Sequence, residues 1–214
     1  MTGFRLDKGG LIERRQKINF RFNGQQVTGF KGDTIASALM ASGHMLVGRS
    51  FKYHRPRGIM SAGVEEGGAL FNTGDGAARV PNVFVTVTEI SEGLNVYSQN
   101  VFPSPEFDLG AVNGLIAPFI TAGFYYKTFM WPASMWMKYE HVIRHAAGLG
   151  KAAEDHNDPD RYEKTHAHCD VLVAGGGACG LMAAAQAGRS GARVIIADEQ
   201  NEFGGWLLGE ADIS

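Results

Sequence analysis

The sequence predicts two folds in series, an α+β unit followed by the beginning of an α/β unit, and three observations carry that reading. Residues 18–30 alternate apolar and polar side chains on both sides of Asn23-Gly24, which is a hairpin pattern and not a helical one. A strand-like run, Val171 to Ala174, breaks into a glycine cluster and then into an alanine-rich helical pattern. A second strand pattern begins at Arg193 and ends in Asp198-Glu199, so strand, helix and strand follow one another as in a parallel βαβ unit.

Taken in order, residues 1–16 are polar and basic, with Arg5, Lys8, Arg14 and Arg15, and predict a surface arm. From Lys17, Ile18, Phe20 and Phe22 form one strand, Asn23-Gly24 the turn, and Val27 and Phe30 the return strand. Asp33 is read as the N-cap of a helix that sets Ile35, Ala38, Leu39 and Ser42 on one face, and Gly43 ends it. Strand, hairpin, strand, helix is the opening of a β-grasp fold. The basic aromatic stretch from Arg49 to Gly58 is read as a subunit or domain contact, with arginines stacking on Phe51 and Tyr53. Gly63 to Leu70 reads as a loop entering a short strand. Val83, Val85 and Val87 alternate with Phe84, Thr86 and Thr88, which predicts a strand there, and Val101 to Pro105 close the unit.

Residues 106–168 are expected to join the two units. Leu109 to Tyr126 carries no formal charge, and aromatic residues continue to Trp131, Trp136 and Tyr139. Asn113, Pro118, Thr121 and three glycines interrupt the run and Lys127 ends it, so a buried or partner-covered segment is expected instead of a membrane span. It should end in a helix around Ser134 to Ala147, followed by a polar linker from Gly148 to His168. His166, His168 and Cys169 lack a fourth ligand and the usual paired spacing, so no metal site is expected.

Composition narrows the function. A net charge of −2 disfavours nucleic acid or an anionic membrane as the main partner. Two cysteines make no disulfide framework, and the first residues lack the apolar core of a signal peptide, so a cytoplasmic protein is expected.

The last region, 169–214, holds the candidate site. Gly175, Gly177 and Gly180 occupy the G-x-G-x-x-G positions of a dinucleotide-binding turn. The first permits the tight strand-to-helix turn, the second lets backbone approach a pyrophosphate, and the third lets helix pack close on strand. The helix opening there presents its unpaired N–H groups and positive dipole end to phosphate. Gly191 fits a C′ glycine closing that helix, and Asp198 stands at the tip of the second strand, where a ribose hydroxyl is gripped. NAD and FAD both use such a turn and acid. The region is the N-terminal part of a Rossmann-like domain, expected to need further strands; the expectation is a fragment, inactive alone and poorly soluble.

Several phrases resemble one family. Arg49-Ser-Phe-Lys-Tyr-His-Arg-Pro-Arg-Gly, Ser98-Gln-Asn, Phe107-Asp-Leu-Gly-Ala-Val-Asn, Gly123-Phe-Tyr-Tyr-Lys-Thr-Phe-Met-Trp-Pro, Asp160-Arg-Tyr-Glu-Lys and His166-Ala-His-Cys-Asp-Val-Leu-Val are similar to the α subunit of heterotetrameric sarcosine oxidase. The resemblance implies that residues 1–105 form a 2Fe-2S ferredoxin-like domain whose cluster is lost, and residues 1–168 indeed hold no cysteine. Where cluster-bearing relatives have their cysteine loop, this chain reads Ile59 to Ala69. The resemblance also implies NAD as the dinucleotide. Its contacts would come from Gly175, Gly177, Cys179, Gly180, Asp198, Glu199, Gln200 and Trp206. The usual turn is Gly-Gly-Gly-Pro-Ala-Gly, and Ala178 and Cys179 here replace its proline and alanine.

By the same resemblance the whole enzyme demethylates sarcosine to glycine with O2 and tetrahydrofolate. FAD lies in the β subunit, FMN at the α–β interface, and γ and δ subunits complete the heterotetramer. No catalytic residue is assigned within this chain. Two alternatives remain open: a related opine, hydroxyproline or glycine dehydrogenase subunit, and a non-enzymatic structural subunit.

Overall fold

The computed structural model describes residues 4–68, 70–119, 123 and 129–209. The aromatic phrase at 124–128 lies outside the described residues. The described residues up to 159, save 61–65, form one compact unit, and 61–65 with those from 160 onward form another.

The first unit is built on the hairpin. Strands β1 (Glu13–Phe22) and β2 (Gln25–Lys31) pair antiparallel, with Phe22 opposite Gln25 and Phe20 opposite Val27. Asn23 and Gly24 both take positive φ, 48° and 83°, as a two-residue type I′ turn requires. Two short strands follow helix α1 (Ile35–Ala41), namely β3 (Gly48–Arg49) and β4 (Pro56–Arg57). Strands β5 (Leu70–Thr73), β6 (Val80–Phe84) and β7 (Asn95–Ser98) complete a five-stranded sheet in the order β2-β1-β7-β5-β6. Only the β1–β7 pairing is parallel in that sheet, which gives the mixed β-grasp arrangement. Helix α1 buries Ile35, Ala36, Ala38 and Leu39, and Phe20, Phe22, Phe71, Val85 and Val96 join them in one core. Gly29 belongs to this packing, because a Cβ there would lie 2.5 Å from Ile90 Cδ1.

Two local expectations need correction. The helix cap is Thr34 and not Asp33: its side chain accepts from Ser37 N–H at 3.2 Å. Asp33 is fully buried instead, accepting from Phe30 N–H and Ser37 Oγ and taking both Nη groups of Arg5 at 3.0 and 2.6 Å. The basic arm is therefore fastened, with Phe4 N–H also bonded to Ala41 C=O at 3.1 Å. The second correction concerns the valine run. Its strand is 80–84, and Val85 leaves the ladder because its carbonyl accepts from Ala36 N–H at 2.9 Å.

The basic aromatic loop is pinned from within. Arg49 donates to the carbonyls of Pro105, His54 and Glu106, so its guanidinium is a clamp and not a free charge. His54 Nδ1 lies 2.6 Å from Asp108 Oδ2, while Asp108 Oδ1 accepts from the N–H groups of Phe102 and Gly110. Arg55 sits over the Tyr53 ring at 4.9 Å, the arginine stacking expected, and Lys52 joins it at 5.0 Å. Beyond it the joining segment forms a 3-10 stretch (Leu109–Gly114) and helix α2 (Trp136–Ala146), as expected near 134–147. Among its described residues, Leu115, Phe119 and Trp131 are 80–85% exposed. Gly148 and Gly150, at the start of the polar stretch, fold back on the sheet. Gln99 Nε2 donates to Gly148 C=O, and Asn82 Oδ1 accepts from Gly150 N–H. Among the described residues no helix is long and apolar enough to cross a membrane.

The second unit is a βαβ unit. Strands β8 (Val171–Ala174) and β9 (Val194–Ala197) are parallel and in register, with helix α3 (Ala178–Arg189) between them. The helix closes as expected: Gly191, at φ 89°, bonds to Gly188 C=O and Ala192 N–H reaches Ala187 C=O, a Schellman pair.

Candidate dinucleotide-binding site

In the turn between β8 and α3 the backbone itself requires glycine at two of the three positions, 175 and 180. Gly175 has φ 106°, which a residue with a Cβ rarely adopts. A Cβ at Gly180 would overlap the carbonyl oxygen of Gly175, so helix and strand can approach this closely only with glycine there. Gly177 is the helix N-cap, and a Cβ on it would meet nothing within 4 Å. That position faces open space, the room a pyrophosphate would need. The first intrahelical bond runs from Leu181 N–H to Gly177 C=O at 2.9 Å. The N–H groups of Ala178, Cys179 and Gly180 therefore precede the ladder and have no acceptor within the helix.

Asp198 closes the turn from the other strand. Its Oδ2 accepts from Gly176 N–H and its Oδ1 from Gln200 N–H at 2.8 Å. These N–H groups favour the charged form and hold the carboxyl below its ordinary value. The acid expected at the ribose is thus also the clasp that ties the end of β9 to the glycine turn. A carboxylate has about four acceptor sites, so a ribose hydroxyl can still share it. Glu199, the next residue, is exposed.

A third segment meets the turn. Gly177 and Gly204 form a parallel bridge, and Gly204 N–H donates to Gly176 C=O at 2.8 Å. Gly204 and Gly205 take positive φ, and Trp206 follows in a short 3-10 turn (Gly205–Gly209), more than half exposed. Cys179 is exposed on the first turn of α3. The structure therefore gathers Gly175, Gly177, Gly180 and Asp198 directly, with Gln200 joined through Asp198. Sequence reasoning missed Gly176, which is buried and whose Cβ would strike the Phe203 ring. The run of three glycines was a signal, but the ring that requires the middle one lies far along the chain.

The loop between β4 and β5 stands where the resemblance places a lost cluster's cysteine loop. Its Glu66 is 1% exposed and accepts from Met60 N–H and Gly68 N–H, both at 2.6 Å.

Comparison with known proteins gives two partial family matches and several relatives. Residues 15–101 match a family described as 2Fe-2S iron-sulfur cluster binding domain, and residues 170–211 match one described as FAD dependent oxidoreductase. The first group does not fit this chain. A [2Fe–2S] cluster takes four thiolates, whereas the only cysteines are Cys169 and Cys179, and the loop is closed on a buried carboxylate. Sarcosine oxidase subunit alpha of Rhizobium meliloti (strain 1021) is 57% identical over 211 residues, which is 98% of this chain and 21% of that protein. The subunit of the same name from Corynebacterium sp. (strain U-96) is 35% identical over 93% of this chain and 16% of its own length. A solved structure, L-proline dehydrogenase from P. horikoshii, aligns with 94% of this chain and 27% of that one at 15% identity and a TM-score of 0.43. Across nearly its whole length the chain is similar to sarcosine oxidase alpha subunits, and it spans about a fifth of their length.

Proposed function

We propose that this chain is part of the α subunit of a heterotetrameric sarcosine oxidase. That enzyme converts sarcosine, O2 and tetrahydrofolate to glycine, hydrogen peroxide and methylenetetrahydrofolate. The observation that carries the reading is the 57% identity over 98% of the chain. In this reading the β-grasp unit is a scaffold, and the exposed apolar segment around Leu115, Phe119 and Trp131 is covered by a partner. Amine oxidation occurs elsewhere, at FAD in a β subunit with FMN at the α–β interface, and γ and δ subunits complete the assembly. The test is to assemble the full-length subunit with those partners and follow oxygen uptake. Sarcosine is expected to be turned over; turnover of hydroxyproline, octopine or glycine in its place would overturn the substrate.

The turn at Gly175 to Gly180 is read as half of an NAD site, with the N–H groups of Ala178, Cys179 and Gly180 facing the pyrophosphate and Asp198 or Glu199 the adenosine ribose. FAD is the second reading, favoured by the family match at 170–211. Calorimetric titration of the full chain with NAD separates them. Saturable binding to purified protein supports NAD, whereas flavin absorbance that copurifies and is lost on mutating Gly180 supports FAD.

A further inference from the structure

A match to a cluster-binding family and the absence of thiolates leave one structural question in the first unit. Backbone loops around iron–sulfur clusters turn N–H groups inward toward a negative charge. Without the cluster such groups would be buried unpaired, at about 1–3 kcal/mol each. By the resemblance, the cysteine loop of cluster-bearing relatives falls at Ile59 to Ala69, between β4 and β5 and within the matched 15–101. The loop is tightly seated: Ile59 packs on the core, and a Cβ at Gly58 would lie 2.6 Å from Met45 C=O. Glu66 is sealed within it and takes the N–H groups of Met60 and Gly68 on its two oxygens. Gly68 allows this approach, since a Cβ there would sit 2.7 Å from Glu66 Oε1 and 3.4 Å from Gly58 C=O.

We propose that Glu66 is the internal anion of this loop, its carboxylate standing in for the charge about which a cluster-binding loop closes. The role is positional: Glu66 accepts from one N–H on each side of the loop and so holds Met60 and Gly68 together. A buried charged side chain is costly unless its oxygens are hydrogen-bonded, and these two N–H groups meet part of that requirement. The inference rests on the loop geometry and the family match at 15–101, and stands whether or not the enzyme acts on sarcosine.

Amide hydrogen exchange in the full chain tests it, read on peptides spanning 58–70 with the 13–31 hairpin as internal control. Glu66→Ala is expected to speed exchange in the loop about tenfold, the loss of roughly one net charged hydrogen bond. Added formate, at about 100 mM, is expected to slow that exchange again by refilling the carboxylate position, and to leave the unsubstituted chain unchanged. Glu66→Gln keeps the volume but puts an amide NH2, itself a donor, where one N–H points, so an intermediate rate is expected. Unchanged exchange in Glu66→Ala would overturn the proposal. So would formate-insensitive opening in Glu66→Ala together with exchange in Glu66→Gln equal to the unsubstituted chain, because packing and not charge would then hold the loop. Should Glu66→Ala fail to fold, Glu66→Gln decides: faster exchange confined to 58–70 supports the anion, and unaltered exchange rejects it.

Discussion

Phe20, Leu39, Phe71 and Val96 are sealed between helix α1 and the sheet of the first unit, whereas the best-buried residues of the second are Gly176 and Gly204. In that second unit Leu172 is 63% and Met182 69% exposed, although both belong to regular elements. The contrast separates two ways of fixing backbone. In the first unit removal of apolar area from water supplies the main stabilisation, about 1.5–3 kcal/mol for each large side chain fully buried. In the second, backbone hydrogen bonds, positive-φ glycines and the Asp198 clasp define the turn. A site held in that way is specific in shape but draws little stability from its own side chains.

Changes to each unit should therefore fail differently. The largest effect is expected from Phe71→Ala, which empties a fully buried site in the first core and should cost about 3–5 kcal/mol, read as a lower denaturant midpoint. Nucleotide binding by the second unit should persist after this change. Its loss would mean that the two units do not behave as separate units.

Gly180→Ala comes next. Its Cβ would overlap Gly175 C=O, so α3 must retreat from β8, at about 1–3 kcal/mol. Dinucleotide binding in calorimetry should fall with it while the first unit's melting stays in place. Wild-type binding by this variant would remove the close-packing argument.

A smaller change of about 1 kcal/mol is expected for Thr34→Ala, which removes the side-chain cap of α1. It should lower the first unit's midpoint and leave nucleotide affinity alone. Asp33→Ala is a sharper probe of the same corner. It strips a buried carboxylate from Arg5, so the N-terminal segment should become protease-sensitive, which Thr34→Ala should not cause.

The subtlest expectation concerns pH. The Asp198 carboxyl lies below its ordinary value when folded, because Gly176 and Gln200 N–H groups bond the charged form. In the unfolded chain it takes up a proton near pH 4. As pH falls from there through the lower folded value, the unfolded state binds the extra proton first, so the clasp's contribution is present above about pH 4 and lost below it. Protection of the Gly176 amide, its exchange taken relative to the intrinsic rate at each pH, should therefore fall on acidification below about pH 4, and Asp198→Asn should remove that dependence.

How much of this could be read beforehand depended on whether the cause was local. Asn23-Gly24 announces its turn because two successive positive-φ residues need those side chains, and the chain adopts it. Gly175 and Gly180 were legible for the same reason, since each demand is set by neighbours within a few residues. The valine run misled, because alternation from Val83 to Thr88 is indistinguishable from a longer strand until α1 claims the Val85 carbonyl. Asp33 before Thr34 looked like a cap, and only Arg5, 28 residues away, shows that it is an ion-pair partner.

By itself, then, the sequence determined the order of the two units, the hairpin, the glycine turn and the absence of a four-thiolate cluster site. Periodicity, dihedral demand and residue counting are properties of contiguous chain, so no partner is needed to read them. Tertiary structure decided what the acids do. Asp33, Glu66, Asp108 and Asp198 each hold a different backbone segment or side chain in place, and only the folded chain shows which N–H, guanidinium or imidazole arrives beside each carboxylate.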